Sequence, residues 1–148
     1  MRTADGAGAH GVIIPERRAV GLTAGVARAS AGAVEYVPVA RVGNLANTLQ
    51  ALGREGVWSV GVDPRATQDY TQVDYKQPTA LVIGAEGKGL SNPVKDRCEL
   101  LVFIPMRGKV ASLNASVAAA LVLYEAIRQR RGTIPAPFPS KERKAATS

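Results

Sequence analysis

The chain holds one cysteine, one histidine, few aromatic side chains and no apolar run of membrane-spanning length. Each shortage removes a class of reading. A lone Cys98 forms no internal disulfide, which excludes a disulfide-stapled scaffold and fits a reducing cytosol. It follows a helical stretch and precedes a strand, so it reads as a small buried hydrophobe rather than a reactive thiol. His10 has no partners at metal-ligand spacing, and no other metal-ligand cluster is visible; a structural or solvated role is expected, and no metal. A transmembrane helix needs about 20 apolar residues, and none is present. Met1-Arg2-Thr3-Ala4-Asp5 lacks the hydrophobic core of an export signal, so a cytoplasmic location is expected.

What the chain does have is 148 residues, enough for one domain with a real core, and a formal net charge of +7. That charge favours a polyanionic partner, nucleic acid first. The argument is weakened because much of the excess sits in Arg128, Arg130, Arg131 and the tail residues Lys141, Arg143 and Lys144.

Read in order, residues 2–9 look like the last turns of a helix, ending in glycine. His10–Pro15 is a short strand, and Thr23–Ala31 a small-residue helix. Glu35–Val39 reads as a second strand. Asn44–Glu55 is a helix with Leu45, Leu49 and Leu52 on one side and Gly56 as its stop. Val57–Asp63 is a third strand, and Pro64–Pro78 a polar loop or partly ordered excursion. Thr79–Ile83 is a fourth strand. A helix starts near Pro93, with Ser91 or Asn92 as cap, and Glu99–Ile104 is the fifth strand. Asn114–Arg131 is the longest helix; Val117, Leu121, Tyr124 and Arg128 form one line, and Ala118, Val122 and Ala126 its neighbour. There is no internal repeat. The alternation predicts an α/β fold, a parallel sheet with helices on both faces.

Two loops carry the chemistry. Gly84–Gly89 follows a strand and has three glycines in six residues, which permits close backbone approach to a ligand or simply a tight turn. It matches neither the Walker spacing nor the dinucleotide G-x-G-x-x-G. Glu86 inside it either caps nearby amides or serves a site; Lys88 is a solvated or phosphate-facing charge. In Pro105–Asn114, Met106 and Leu113 offer apolar surface for a flat ring. Ser112 and Asn114 offer hydrogen bonds or plain helix capping. Arg17, Arg18, Arg107 and Lys109 are candidates for phosphate contacts with a nucleic acid.

Together, Val82-Ile83-Gly84-Ala85-Glu86-Gly87-Lys88-Gly89-Leu90, Ile104-Pro105-Met106-Arg107-Gly108 and Ser112-Leu113-Asn114-Ala115-Ser116-Val117-Ala118 resemble motifs two and three of the SpoU/TrmH branch of the SPOUT superfamily. Arg2-Thr3-Ala4-Asp5 resembles the end of motif one. The stretch from Ala33 to Leu45 is most similar to the bacterial 23S rRNA guanosine 2′-O-methyltransferases of the family. The resemblance covers residues 2 to about 132. It implies S-adenosylmethionine-dependent methylation of an RNA ribose 2′-oxygen, a deep carboxyl-terminal trefoil knot and a homodimer. It implies cofactor contacts at Gly84, Glu86, Gly87, Ile104, Met106, Leu113 and Asn114, and catalytic roles for Arg2, Glu86, Ser112 and Asn114. The family's motif one also has an asparagine, a strand and a helix before the arginine, so an N-terminally truncated catalytic domain over 1–132 is expected, followed by a basic, proline-containing, mostly disordered tail over 133–148. Two alternatives stand beside this: a relative that binds cofactor or RNA without turnover, and a methyltransferase acting on tRNA.

Overall fold

The apolar runs of the central segment pair as parallel strands. The computed structural model describes residues 2–16, 37–84, 89–110 and 113–131. In chain order these form α1 (Arg2–Gly6), β1 (Val12–Pro15), β2 (Val39–Val42), α2 (Leu45–Arg54), β3 (Trp58–Val62), β4 (Gln68–Asp69), a 3₁₀ turn (Tyr70–Gln72), β5 (Thr79–Ile83), α3 (Asn92–Arg97), β6 (Leu100–Phe103) and α4 (Ala115–Arg130). The helix expected over 23–31, the first residues of the strand expected at 35–39, Arg17, Arg18 and the tail lie outside the described residues.

Four strands make one parallel sheet in the order β4-β6-β3-β5, and β1 pairs with β2 in a separate parallel ladder. The sequence pattern predicted one sheet. Among the described residues no strand bridges the two groups. Within the described residues the second strand runs Val39–Val42; Pro38 before it has no N–H to give the ladder, and its carbonyl accepts from the Val12 amide at 2.9 Å.

Period-two alternation sorts the sheet's side chains onto two covered faces. On one, Val60 and Val102 are buried with Val73, Tyr75 and Val122 of α4. On the other, Val82 meets Leu49 of α2 and Leu90, with Val94 and Cys98 beside them. Helices therefore cover both faces, as the apolar strand composition predicts. In α4 the line Ala118–Val122–Ala126 packs inward, while Val117, Leu121 and Tyr124 stay 47%, 38% and 48% exposed.

The segment 64–78, read from the sequence as a polar loop or partly ordered excursion, holds β4 and the 3₁₀ turn. It is an ordered crossover from β4 at one edge of the sheet to β5 at the other. Tyr75 is fully buried within it and donates its hydroxyl to the Tyr70 carbonyl at 2.6 Å. The end of α4 holds its backbone: Gln129 accepts from the Tyr75 amide at 2.7 Å and donates to the Val73 carbonyl at 2.8 Å. Arg130 donates to the carbonyls of Tyr75 and Gln77 at 2.8 and 2.9 Å. Side chains distant in sequence replace the ladder that a polar segment cannot form by itself.

Candidate active site

Parallel strands deliver their following loops to a single edge. Ile83, Val62, Val102 and Gln68 stand in register across β5, β3, β6 and β4. One residue further, Gly84, Asp63 and Phe103 mark the carboxyl edge, where α/β folds place ligands. The loop after β5 and the loop after β6 thus leave on either side of β3.

The first loop is closed by glycine. A Cβ on Gly84 would lie 2.3 Å from the carbonyl carbon and oxygen of Gly89 and 2.8 Å from the Leu90 nitrogen, so the loop's two ends meet backbone to backbone. Gly89 adopts φ +65°, a conformation that side chains disfavour. The buried Leu90 then anchors the return of the chain over Gly61, where an added Cβ would come within 2.6 Å of it. Residues 85–88 between these ends, including Glu86, Gly87 and Lys88, lie outside the described residues.

The second loop runs from β6 into α4. Ile104 is half-buried against the core, Met106 is 37% exposed, and Arg107 and Lys109 face solvent. Leu113 is half-buried. Asn114 caps α4: its Oδ1 accepts from the Ser116 amide at 2.8 Å and its carbonyl from the Ala118 amide at 2.9 Å. Ser112 lies outside the described residues. Arg2 opens α1, its side chain likewise outside them, and His10 is exposed. Of the expected site residues, the described Gly84, Ile104, Met106, Leu113 and Asn114 all belong to these two loops.

One residue at this edge escaped the sequence reading. Asp63 is 1% exposed; its Oδ1 accepts from the Arg65 amide at 2.8 Å and Oδ2 stands 3.0 Å from the Lys95 ammonium. That second contact is a close ion pair. Burial pushes the Asp63 pKa up, but the Arg65 amide, Lys95 and the Arg65 guanidinium together outweigh it and hold the carboxyl below its usual value. The only trace in the sequence is an aspartate closing an apolar strand. Among the described residues, no three His, Cys, Asp or Glu side chains gather to hold a metal, and no helix is long and apolar enough to cross a membrane.

A parallel sheet with a closed glycine loop and a capped helix at one edge defines an α/β protein whose two loops lie where such folds place ligand sites. Residues 1–124 match the model of the SpoU rRNA methylase family, and the chain belongs to that family. It is 58% identical over 130 residues to YacO of Bacillus subtilis, a protein assigned to the TrmH family of tRNA/rRNA methyltransferases, covering 88% of this chain and 52% of that one. The chain thus spans about half the length of the curated relatives it matches. Its fold is similar to that of the SpoU methyltransferase AviRb of Streptomyces viridochromogenes, solved in complex with AdoMet: TM-score 0.81, 36% identity, 89% of this chain and 54% of that one. It is also similar to a solved RNA 2′-O ribose methyltransferase, at TM-score 0.78 and 35% identity, over 87% of this chain and 49% of that one.

Proposed function

We propose that the chain is the catalytic part of an RNA methyltransferase that uses S-adenosylmethionine to methylate a ribose 2′-oxygen, with a guanosine of 23S rRNA as target. The observation that carries this reading is the pairing of two motif-bearing loops at one sheet edge, the first closed by Gly84 against Gly89. Backbone groups free of side chains, the apolar Met106 and Leu113, and the positive end of α4 suit a nucleoside with a charged tail. Gly84, Glu86, Gly87, Ile104, Met106, Leu113 and Asn114 would hold the cofactor, which supplies an activated methyl group.

A neutral 2′-hydroxyl is a poor nucleophile near pH 7, and orientation in line with the departing group supplies much of the rate. Arg2, by its match to motif one, would stabilise the developing oxyanion, with an RNA phosphate taking the proton. Asn114, Ser112 and Glu86 would orient the ribose. Arg17, Arg18, Arg107 and Lys109 would hold phosphates.

The same reading includes a trefoil knot, a homodimer and the division into 1–132 and a basic tail over 133–148. The knot rests on the family likeness; the bonds from the last turn of α4 to the crossover 73–77 add only that the carboxyl-terminal helix packs closely on that crossover. The dimer is supported by the uncovered stripe Val117, Leu121 and Tyr124, bordered by Thr3. A tRNA substrate is the second reading, favoured by the tRNA/rRNA assignment of the curated relatives. Tritium transfer from labelled S-adenosylmethionine to unmodified 23S rRNA and to tRNA, followed by mapping of the methylated nucleotide, tests both. Label on a base, or on neither RNA while the cofactor binds, would overturn the reading.

A further inference from the structure

We propose that Asp63 and Lys95 are positioning residues for the cofactor site, an ion pair that clamps the return of the Gly84–Gly89 loop onto the central strand. The inference rests on the cofactor reading above and concerns residues outside its motifs.

One face of β3 and its end grips the chain after that loop at three alternate positions. Ser59 donates its hydroxyl to the Arg97 carbonyl at 3.2 Å and accepts from the Glu99 amide at 3.1 Å, fixing the far end of α3. Gly61 leaves room for Leu90, Cys98 and Leu101, any of which a Cβ would meet within 3 Å. Asp63 takes Lys95, in the middle of α3, at 3.0 Å. It also sits beneath the loop's closing residue, since a Cβ on Gly89 would be 3.9 Å from Oδ2.

The first two holds act through packing and backbone. The third is a charge pair between a carboxylate 2% exposed and an ammonium 22% exposed, at the very edge where both ligand loops emerge. Stability alone is a weak reason for such a pair, because desolvation offsets much of its attraction. Its placement gives a better one. Pulling Lys95 to Asp63 sets how far α3 stands from the end of β3, and the loop's closing residues Gly89 and Leu90 precede α3 by a single residue. A binding loop needs its support fixed before the ligand arrives.

The test is calorimetric titration of S-adenosylmethionine and S-adenosylhomocysteine into the wild-type protein and the variants Asp63→Asn, Lys95→Met and Lys95→Arg, with RNA affinity, circular dichroism and amide exchange at Leu90 measured alongside. Asp63→Asn and Lys95→Met should each weaken cofactor binding roughly tenfold, the lower end of what losing a supporting partner costs a metal site. Leu90 exchange should speed up while RNA affinity and overall fold are retained, and Lys95→Arg should recover most of the binding. Folded Asp63→Asn and Lys95→Met proteins that bind within twofold of wild type would overturn the proposal alone. Loss of the folded state in both would overturn it too, because the pair would then determine the fold and not the site. A wild-type protein that binds neither compound would overturn the cofactor reading itself, and the inference with it.

Discussion

Asn114 holds a helix end and stands in the site reading at once, and the two roles separate by substitution. Asn114→Ala removes the acceptor for the Ser116 amide and should cost about 1 kcal/mol of stability. Asn114→Asp keeps that acceptor, so its melting temperature should stay near wild type. If the residue also orients the ribose, both variants should lose methyl transfer; a fully active Asn114→Asp protein would reduce Asn114 to a cap. Cys98 offers a pH test. Burial pushes its thiol pKa from 9.0 up to about 11, so the folded state favours the neutral thiol. The associated stability should be complete below pH 9 and fall as pH rises from 9 through 11, read as a shift in urea midpoint that Cys98→Ala lacks. The tight turn at Gly84 and the helix cap at Asn114 were legible in the sequence, from a glycine-rich stretch after a strand and an asparagine before an apolar helix. Asp63 was not, because its meaning comes from Lys95 and Gly89, both far along the chain, and an aspartate after a strand otherwise reads as the start of a turn.

At the scale of elements, strands rich in apolar residues and helices with marked caps were readable. β3, β5, β6, α2 and α4 fall within a residue or two of their expected limits. The crossover 64–78 was not readable, since its polarity mimics a loop and its backbone partners are supplied from α4, more than 50 positions away. That dependence can be measured. Gln129→Ala leaves the Tyr75 amide without its acceptor in a largely enclosed place, which should cost about 1–3 kcal/mol. Tyr75→Phe removes only the 2.6 Å bond to Tyr70 and should cost about 0.5–1.5 kcal/mol. Arg128→Ala, one position before Gln129, removes an exposed guanidinium from a Glu125 carboxylate only 9% exposed, which keeps its bond from Gln129, and should cost less than about 1 kcal/mol. Equal losses from Gln129→Ala and Arg128→Ala would show that the grip on the crossover contributes nothing special.

Over the whole molecule, apolar stripe and positive charge call for different partners. If the proposed homodimer closes over the Val117–Tyr124 stripe, Leu121→Glu places a charge in its middle and should give a monomer by sedimentation, with the fold kept because Leu121 already meets solvent. Charge is tested by salt. If RNA is the partner, a chain of net charge +7 would gain affinity largely by releasing counterions, and the logarithm of that affinity should fall linearly with the logarithm of salt concentration. Arg107 and Lys109 stand exposed on the loop that leads from β6 to α4, beside the proposed cofactor site, where a phosphate next to the target ribose would lie. Removing either by alanine should lower the salt slope by about 0.7–0.9, one phosphate contact each on single-stranded or duplex nucleic acid. S-adenosylmethionine affinity should not follow, because a compact cofactor displaces few counterions. A slope that stays unchanged in both variants would move the RNA path away from this loop and onto the other basic residues of the chain.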